Sequence, residues 1–222
     1  MHRLLLGIGA VVLMATPAVA HIHLTSPLAR TDSSTGDQKS EHCGVTGQTR
    51  NPARVTTFRP GETITVTWLE TINHPGHFRI AFQADGDVFG IPAAGDGPPA
   101  GFPSVDQTGM TDAAGAIILK DFVPDGTLSA QVTLPDIECE NCTLQFIQVM
   151  TDKPPYTVDE ASDDIYFNCA DIRLSSTAPT VDAGAMSGGG GETTGGCASS
   201  YPGGIGGLLG LALVRRRRRS PA

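Results

Sequence analysis

Six histidines are spread along the chain, and three of them stand where an imidazole nitrogen could meet a metal ion. His21 follows Ala18-Val19-Ala20, a small-residue triplet closing the apolar run Leu4–Ala15 behind a short basic start, His2 and Arg3. That arrangement over residues 1–20 predicts a secretory signal whose apolar core is too short to span a bilayer. Cleavage after Ala20 would make His21 the first residue of the mature chain, which then begins His-Ile-His. A terminal histidine can close a chelate ring through its Nδ1 and its own α-amino nitrogen. The α-amino group, with a pKa of about 7.7–8.0, sheds its proton near neutrality. His74 and His77 lie in Asn73-His74-Pro75-Gly76-His77, where Asn, Pro and Gly force a turn between two strand-like runs. Two imidazoles and the terminal amine give a T-shaped set of nitrogen donors. Such a set suits one copper ion per chain better than a hard, oxygen-seeking cation. His74 is favoured as the second ligand because Pro75-Gly76 presents its side chain. His77 leads straight into the next strand and is assigned a supporting place, with the ligand role in place of His74 as its alternative.

Few helical periodicities compete with the strand signal. Runs rich in β-branched residues cover Val55–Phe58, Thr63–Glu70, Phe78–Gln83, Ile117–Phe122, Leu128–Leu134, Thr143–Thr151 and Ile165–Leu174. Gly, Pro, Asp and Asn clusters separate them. In Thr63-Ile64-Thr65-Val66-Thr67-Trp68, apolar residues alternate with polar ones, which predicts a half-buried antiparallel strand with Trp68 inward. The pattern predicts an all-β immunoglobulin- or fibronectin III-like antiparallel sandwich with long loops. The Gly- and Pro-rich stretch from Val88 to Thr111 is expected on the surface.

Residues 21–176 form the expected domain, about 160 residues and large enough for a real core. Between the signal and the terminal arginine run, nine basic residues face 23 acidic ones. So acidic a body excludes nucleic acid and anionic lipid as partners, and leaves neutral carbohydrate or a metal cation. Cys43, Cys139, Cys142 and Cys169 are expected to form disulfides in an oxidising compartment, with three pairings open. Residues 177–196 read as a Gly/Ser/Thr-rich linker. Residues 197–222 hold Cys197, a glycine-broken apolar stretch, Ile205–Val214, and Arg215 to Arg219.

Two resemblances follow. The tail resembles the myxobacterial C-terminal sorting signal (MYXO-CTERM), which implies processing or lipid modification at Cys197 and retention of a secreted protein at the cell surface; separately, the chain is expected to be a monomer. A membrane anchor with an arginine stop is the other reading. The body, with its amino-terminal histidine, an internal histidine in a Gly-containing turn and Tyr166-Phe167-Asn168-Cys169-Ala170-Asp171-Ile172, resembles the lytic polysaccharide monooxygenases. That resemblance implies a copper-dependent enzyme cleaving a polysaccharide such as chitin or cellulose, with an external electron donor. It implies His21 and His74 as ligands in a histidine brace, and Tyr166 at the axial place. It further implies that Cys43 bridges to Cys169 and Cys139 to Cys142. His77, Asp164, Gln145 and Gln148 are the candidates to position an oxygen species. A non-catalytic copper carrier and a carbohydrate-binding surface adhesin are the alternatives from other functional classes.

Overall fold

The computed structural model describes residues 22–31, 38–158 and 164–179. The signal segment with His21, and everything from residue 180 on, including Cys197, lie outside the described residues. Eight strands build two sheets: β1 (Ile22–Ser26), β2 (Thr56–Phe58), β3 (Thr63–Glu70), β4 (Gly76–Gln83), β5 (Ile117–Pro124), β6 (Ser129–Thr133), β7 (Cys139–Met150) and β8 (Ile165–Leu174). A single 3-10 turn, Pro52–Arg54, is the one helical element among the described residues. The three-stranded sheet runs β1-β3-β6 and the five-stranded sheet β2-β8-β7-β4-β5. All pairings are antiparallel except β2 with β8. The fold is an all-β sandwich, and β2 is the point where it departs from a purely antiparallel plan.

Period-two alternation explains the layers. Ile64, Val66 and Trp68 of β3, with Ile22 and Leu24 of β1, face Phe78, Ile80 and Phe82 of β4 and Leu144 and Phe146 of β7. Trp68 is buried, and its ring centroid lies 4.6 Å from that of Phe146 and 5.2 Å from that of Phe78. These three rings form an aromatic floor close to one end of the sandwich. The opposite face of the five-stranded sheet is covered too. Phe102 and Tyr156 pack on Ile147, Val149, Ile165 and Phe167, and Phe89 packs on Ala81, Ile118 and the Cys43–Cys169 pair. The stretch from Val88 to Thr111 is therefore not merely a surface loop. Phe89 and Phe102 are its buried anchors, and they close a second core that Gly/Pro composition conceals.

β1 also falls outside the strand-rich runs of the sequence, because only five residues alternate before Pro27. Its partner makes it a strand: Ile22 pairs with Glu70 and Leu24 with Trp68. Two disulfides are present, Cys43–Cys169 and Cys139–Cys142.

A buried ionic cluster ties the N-terminal segment to β8. Asp171 is fully buried and its Oδ1 accepts from Arg30 Nε at 3.0 Å and Nη2 at 2.8 Å. Its Oδ2 accepts from the Asn51 amide at 2.7 Å, and Arg30 Nη1 donates to Asp87 at 2.6 Å. Removing one partner of a buried pair strands the other's charge. Asp171→Ala is expected to cost about 3 kcal/mol in urea unfolding, and a loss under about 1 kcal/mol would show that the cluster is incidental.

Candidate metal centre

One end of the sandwich collects the polar residues that sit a single step beyond the aromatic floor. Glu70 ends β3 two residues after Trp68, Gln148 follows Phe146 by two on β7, and Tyr166 pairs with Gln148 across β8. All three therefore belong to the inward-facing series, at its open rim. Gln148 Nε2 donates to Glu70 Oε1 at 2.6 Å. The same oxygen lies 3.4 Å from the His74 amide nitrogen, which donates to it.

His74 is carried by the turn between β3 and β4, and that turn is held from several sides. Asn73 Nδ2 donates to Asp125 Oδ1 at 2.6 Å. Pro75 O accepts from Thr151 N at 2.8 Å and from Thr151 Oγ1 at 3.0 Å. Gly76 opposite Met150 leaves no room for a side chain, since a Cβ there would run into the Val149 carbonyl. The ring itself is oriented by Asp152, whose Oδ2 lies 3.0 Å from His74 Nδ1. A carboxylate only accepts, so Nδ1 carries a hydrogen, and in the neutral ring the lone pair is on Nε2. That Nε2 is buried and has no hydrogen-bond partner among the described residues. The Tyr166 ring centroid lies 6.1 Å from that of His74. An imidazole fixed through one nitrogen by a carboxylate, with the other nitrogen bare, has the donor arrangement of a metal ligand. Among the described residues no three His, Cys, Asp or Glu side chains come together as a metal site; His74 offers one imidazole nitrogen of the kind copper takes.

The structure brings His74, Tyr166 and Gln148 together, and it adds two residues that motif and spacing passed over. Asp152 lies just past the end of β7. Glu70 carried a signal in the sequence: it is an acidic residue in phase with Ile64, Val66 and Trp68, where the alternation calls for an apolar one. Ile22, bonded to His21, is paired with Glu70 and so begins β1 at this same end. His21 itself lies outside the described residues. His23, the second histidine of that run, pairs with Leu69 on the neighbouring register.

The other candidates are placed elsewhere. Gln145 stands three residues before Gln148, hence on the opposite face, and its Nε2 donates to His42 O at 2.8 Å. Asp164 Oδ2 accepts from Thr157 N at 2.8 Å and from Thr157 Oγ1 at 3.2 Å. His77 is the second residue of β4, out of phase with Phe78, and turns to the sheet's outer face. Its ring stacks on Phe122 at 4.1 Å and 9°. Phe122 takes φ +47° to do this, a backbone conformation that bulky residues avoid.

Burial pushes His77 down to about 4, helped by the Arg79 guanidinium and opposed by the Asp121 carboxylate, 4.0 Å from Nε2. The unfolded chain takes up this proton as the pH falls through about 6.5, while the folded chain resists until about 4. Stability is therefore lost on acidification across that window, by about 3 kcal/mol in full. His77→Gln is expected to flatten the drop in urea midpoint between pH 7 and pH 4.5. An unchanged drop would refute the assignment.

The fold and site thus define an all-β sandwich with an imidazole–carboxylate centre at one rim. No protein-family model matches the chain, and no curated protein matches it. Among solved structures it is similar to the AA15 lytic polysaccharide monooxygenase from Thermobia domestica in the Cu(I) state. The two are 18% identical with a TM-score of 0.42, and the match covers 69% of this chain and 98% of that chain.

Proposed function

We propose that the chain is a secreted copper-dependent polysaccharide monooxygenase of the histidine-brace kind, held at the cell surface through its C-terminal tail. The observation that carries this reading is His74 Nε2, buried and without a hydrogen-bond partner among the described residues, with Nδ1 fixed on Asp152 and Tyr166 beside it. His74 would supply one nitrogen, and His21, freed by signal cleavage and one bond from the start of β1, would supply its imidazole and amine. Copper, when bound, supplies the one-electron chemistry that activates dioxygen or peroxide toward a strong C–H bond.

The chain's own residues do the rest. Asp152 holds the hydrogen on Nδ1, so that the His74 lone pair is available without a tautomer change. Glu70 fixes two things at once, the Gln148 amide group and the backbone of His74. Gln148, a buried side chain, is thereby held in position, and its amide oxygen would be the group that orients a polar reactant. Tyr166 packs beside His74 and limits the approach of water from that flank. The acidic body suits an uncharged polymer as substrate.

The test is to incubate signal-free, copper-loaded protein with chitin and with cellulose, ascorbate and hydrogen peroxide, and to analyse the soluble products by mass spectrometry. Oxidised oligosaccharides that disappear in His74→Ala are the expected result. One copper bound without products would instead identify a carrier, and no copper bound would remove both readings.

A further inference from the structure

Away from the rim, the outer face of the five-stranded sheet carries a second polar group with an unmet hydrogen bond. His77 Nε2 is buried and has no partner among the described residues. The Asp121 carboxylate, 4.0 Å away, is too far to serve, and its oxygens are engaged elsewhere. They accept from Arg79 Nε at 3.0 Å and Nη2 at 2.6 Å, from the Phe122 amide at 3.0 Å and from the Gln107 amide at 3.2 Å. Buried polar atoms are nearly always satisfied, so such an orphan marks a place where another molecule belongs. Phe122, whose ring stacks on His77, holds φ +47°, and strain of that kind in a bulky residue gathers at binding sites.

A cleft of about 430 Å³ is lined here by His77, Phe122, Ser104 and Thr151, a size suited to a small ligand. Pro98, Pro103 and Pro124 add rigid apolar walls. The loop side is preformed, because Phe102, beside Pro103, is buried and its carbonyl accepts from Gly97 N at 3.0 Å. Among the described residues no Asp, Glu, Lys or Arg lines the cleft. Burial keeps the His77 imidazole neutral down to about pH 4, and the nearby Arg79 and Asp121 are paired with each other. The two hydroxyls already use their hydrogens: Ser104 Oγ donates to Asp96 Oδ1, and Thr151 Oγ1 to the Pro75 carbonyl. Each therefore offers only lone pairs to the cleft. A ligand must bring donors of its own in uncharged form, together with C–H surface for the phenyl ring and the prolines. A hydroxyl also suits the imidazole in either tautomer, since it both donates and accepts.

We infer that this cleft binds one ring of a neutral sugar, whose hydroxyls donate to Ser104 and Thr151 while another meets His77. No metal takes part, so the site goes beyond the copper reading above and does not depend on it.

The experiment titrates cellobiose and N,N′-diacetylchitobiose into the isotope-labelled mature chain, stripped of metal by a chelator. Nuclear magnetic resonance reads the amides of Ser104, Phe122 and Thr151 and the ring nitrogens of His77. Saturable shifts at these residues with at least one of the sugars, at a dissociation constant of about 1 mM, are the expected result. Ser104→Ala, a change at an exposed side chain, is expected to weaken binding about fivefold through the loss of one hydrogen bond. Phe122→Gly, which suits the positive φ, is expected to weaken it by at least about tenfold. Absence of shifts at the highest soluble sugar concentration would overturn the proposal and leave the orphaned nitrogen to water alone. Binding undiminished in either variant would overturn it too, by placing the sugar elsewhere. So would equal affinity for glucosamine or glucuronate, whose charge the uncharged lining should reject. Copper titration of the same protein keeps failure of this site distinct from failure of the copper reading.

Discussion

His74→Ala is expected to lower copper affinity by at least about a thousandfold, while His77→Ala leaves it within about threefold. The reason is the separation of the two side chains. His74 stands on the rim with its Nδ1 on Asp152 and its Nε2 bare. His77, three residues on, is directed to the outer face of the five-stranded sheet, stacked on Phe122 and close to Asp121. Losing one of a few nitrogen donors removes most of the binding free energy of a chelate, whereas a histidine on the far face contributes nothing to it. Asp152→Asn is expected to fall between the two, with the 10–100-fold loss typical of a residue that orients a ligand. Isothermal titration with Cu(II), together with the nitrogen hyperfine pattern in electron paramagnetic resonance, would read all three. Loss of copper in His77→Ala with retention in His74→Ala would reverse the assignment. A methionine left before His21 is expected to weaken binding in the same assay, because the amine would no longer belong to the histidine.

Replacing Cys43 and Cys169 together by alanine is expected to destabilise the protein by about 5 kcal/mol on the chain-entropy relation. The bond spans 126 residues, so in its absence the unfolded chain gains the freedom of nearly the whole domain. The Cys139–Cys142 bond closes a separation of three, and the same relation gives roughly 1.6 kcal/mol for it. The difference should be plain in urea midpoints of the two double variants. Equal midpoints would show that strain or residual structure, rather than chain entropy, governs both. The longer bond also joins the N-terminal loop to the strand carrying Tyr166, so its loss should weaken copper binding even below the unfolding range.

Much of this architecture is legible in the residues. β3 and β8 have the bounds that alternation assigns to them, Thr63–Glu70 and Ile165–Leu174, because each carries inward apolar residues along its length. β1 is not legible, since five residues ending before a proline make a weak pattern that only the partner strand completes. The buried role of Phe89 and Phe102 was hidden in the same way. Glycine and proline between them signal irregular backbone, which says nothing about whether that backbone covers a core. Within the site, His74 and Tyr166 could be picked out from motif and turn chemistry. Glu70 could have been, from its phase in β3. Asp152 could not, because its proximity to His74 is created by strand pairing across a long separation and leaves no trace in local spacing.

The rim where Glu70, His74, Gln148, Asp152 and Tyr166 meet draws on the middle and the end of the domain, and on the strand order β1-β3 and β4-β7-β8 that brings them side by side. Contacts of such range form late and slowly, since loop closure must precede them. A fragment lacking either part does not present this set of groups, so on the copper reading proposed above metal capture would report on completed folding. The coupling runs in both directions. A metal that binds only the native arrangement adds about 2.7 kcal/mol to its stability at a hundred times its dissociation constant. On the copper reading proposed above, the ion would then act as the last fastener of the sandwich as well as its working part.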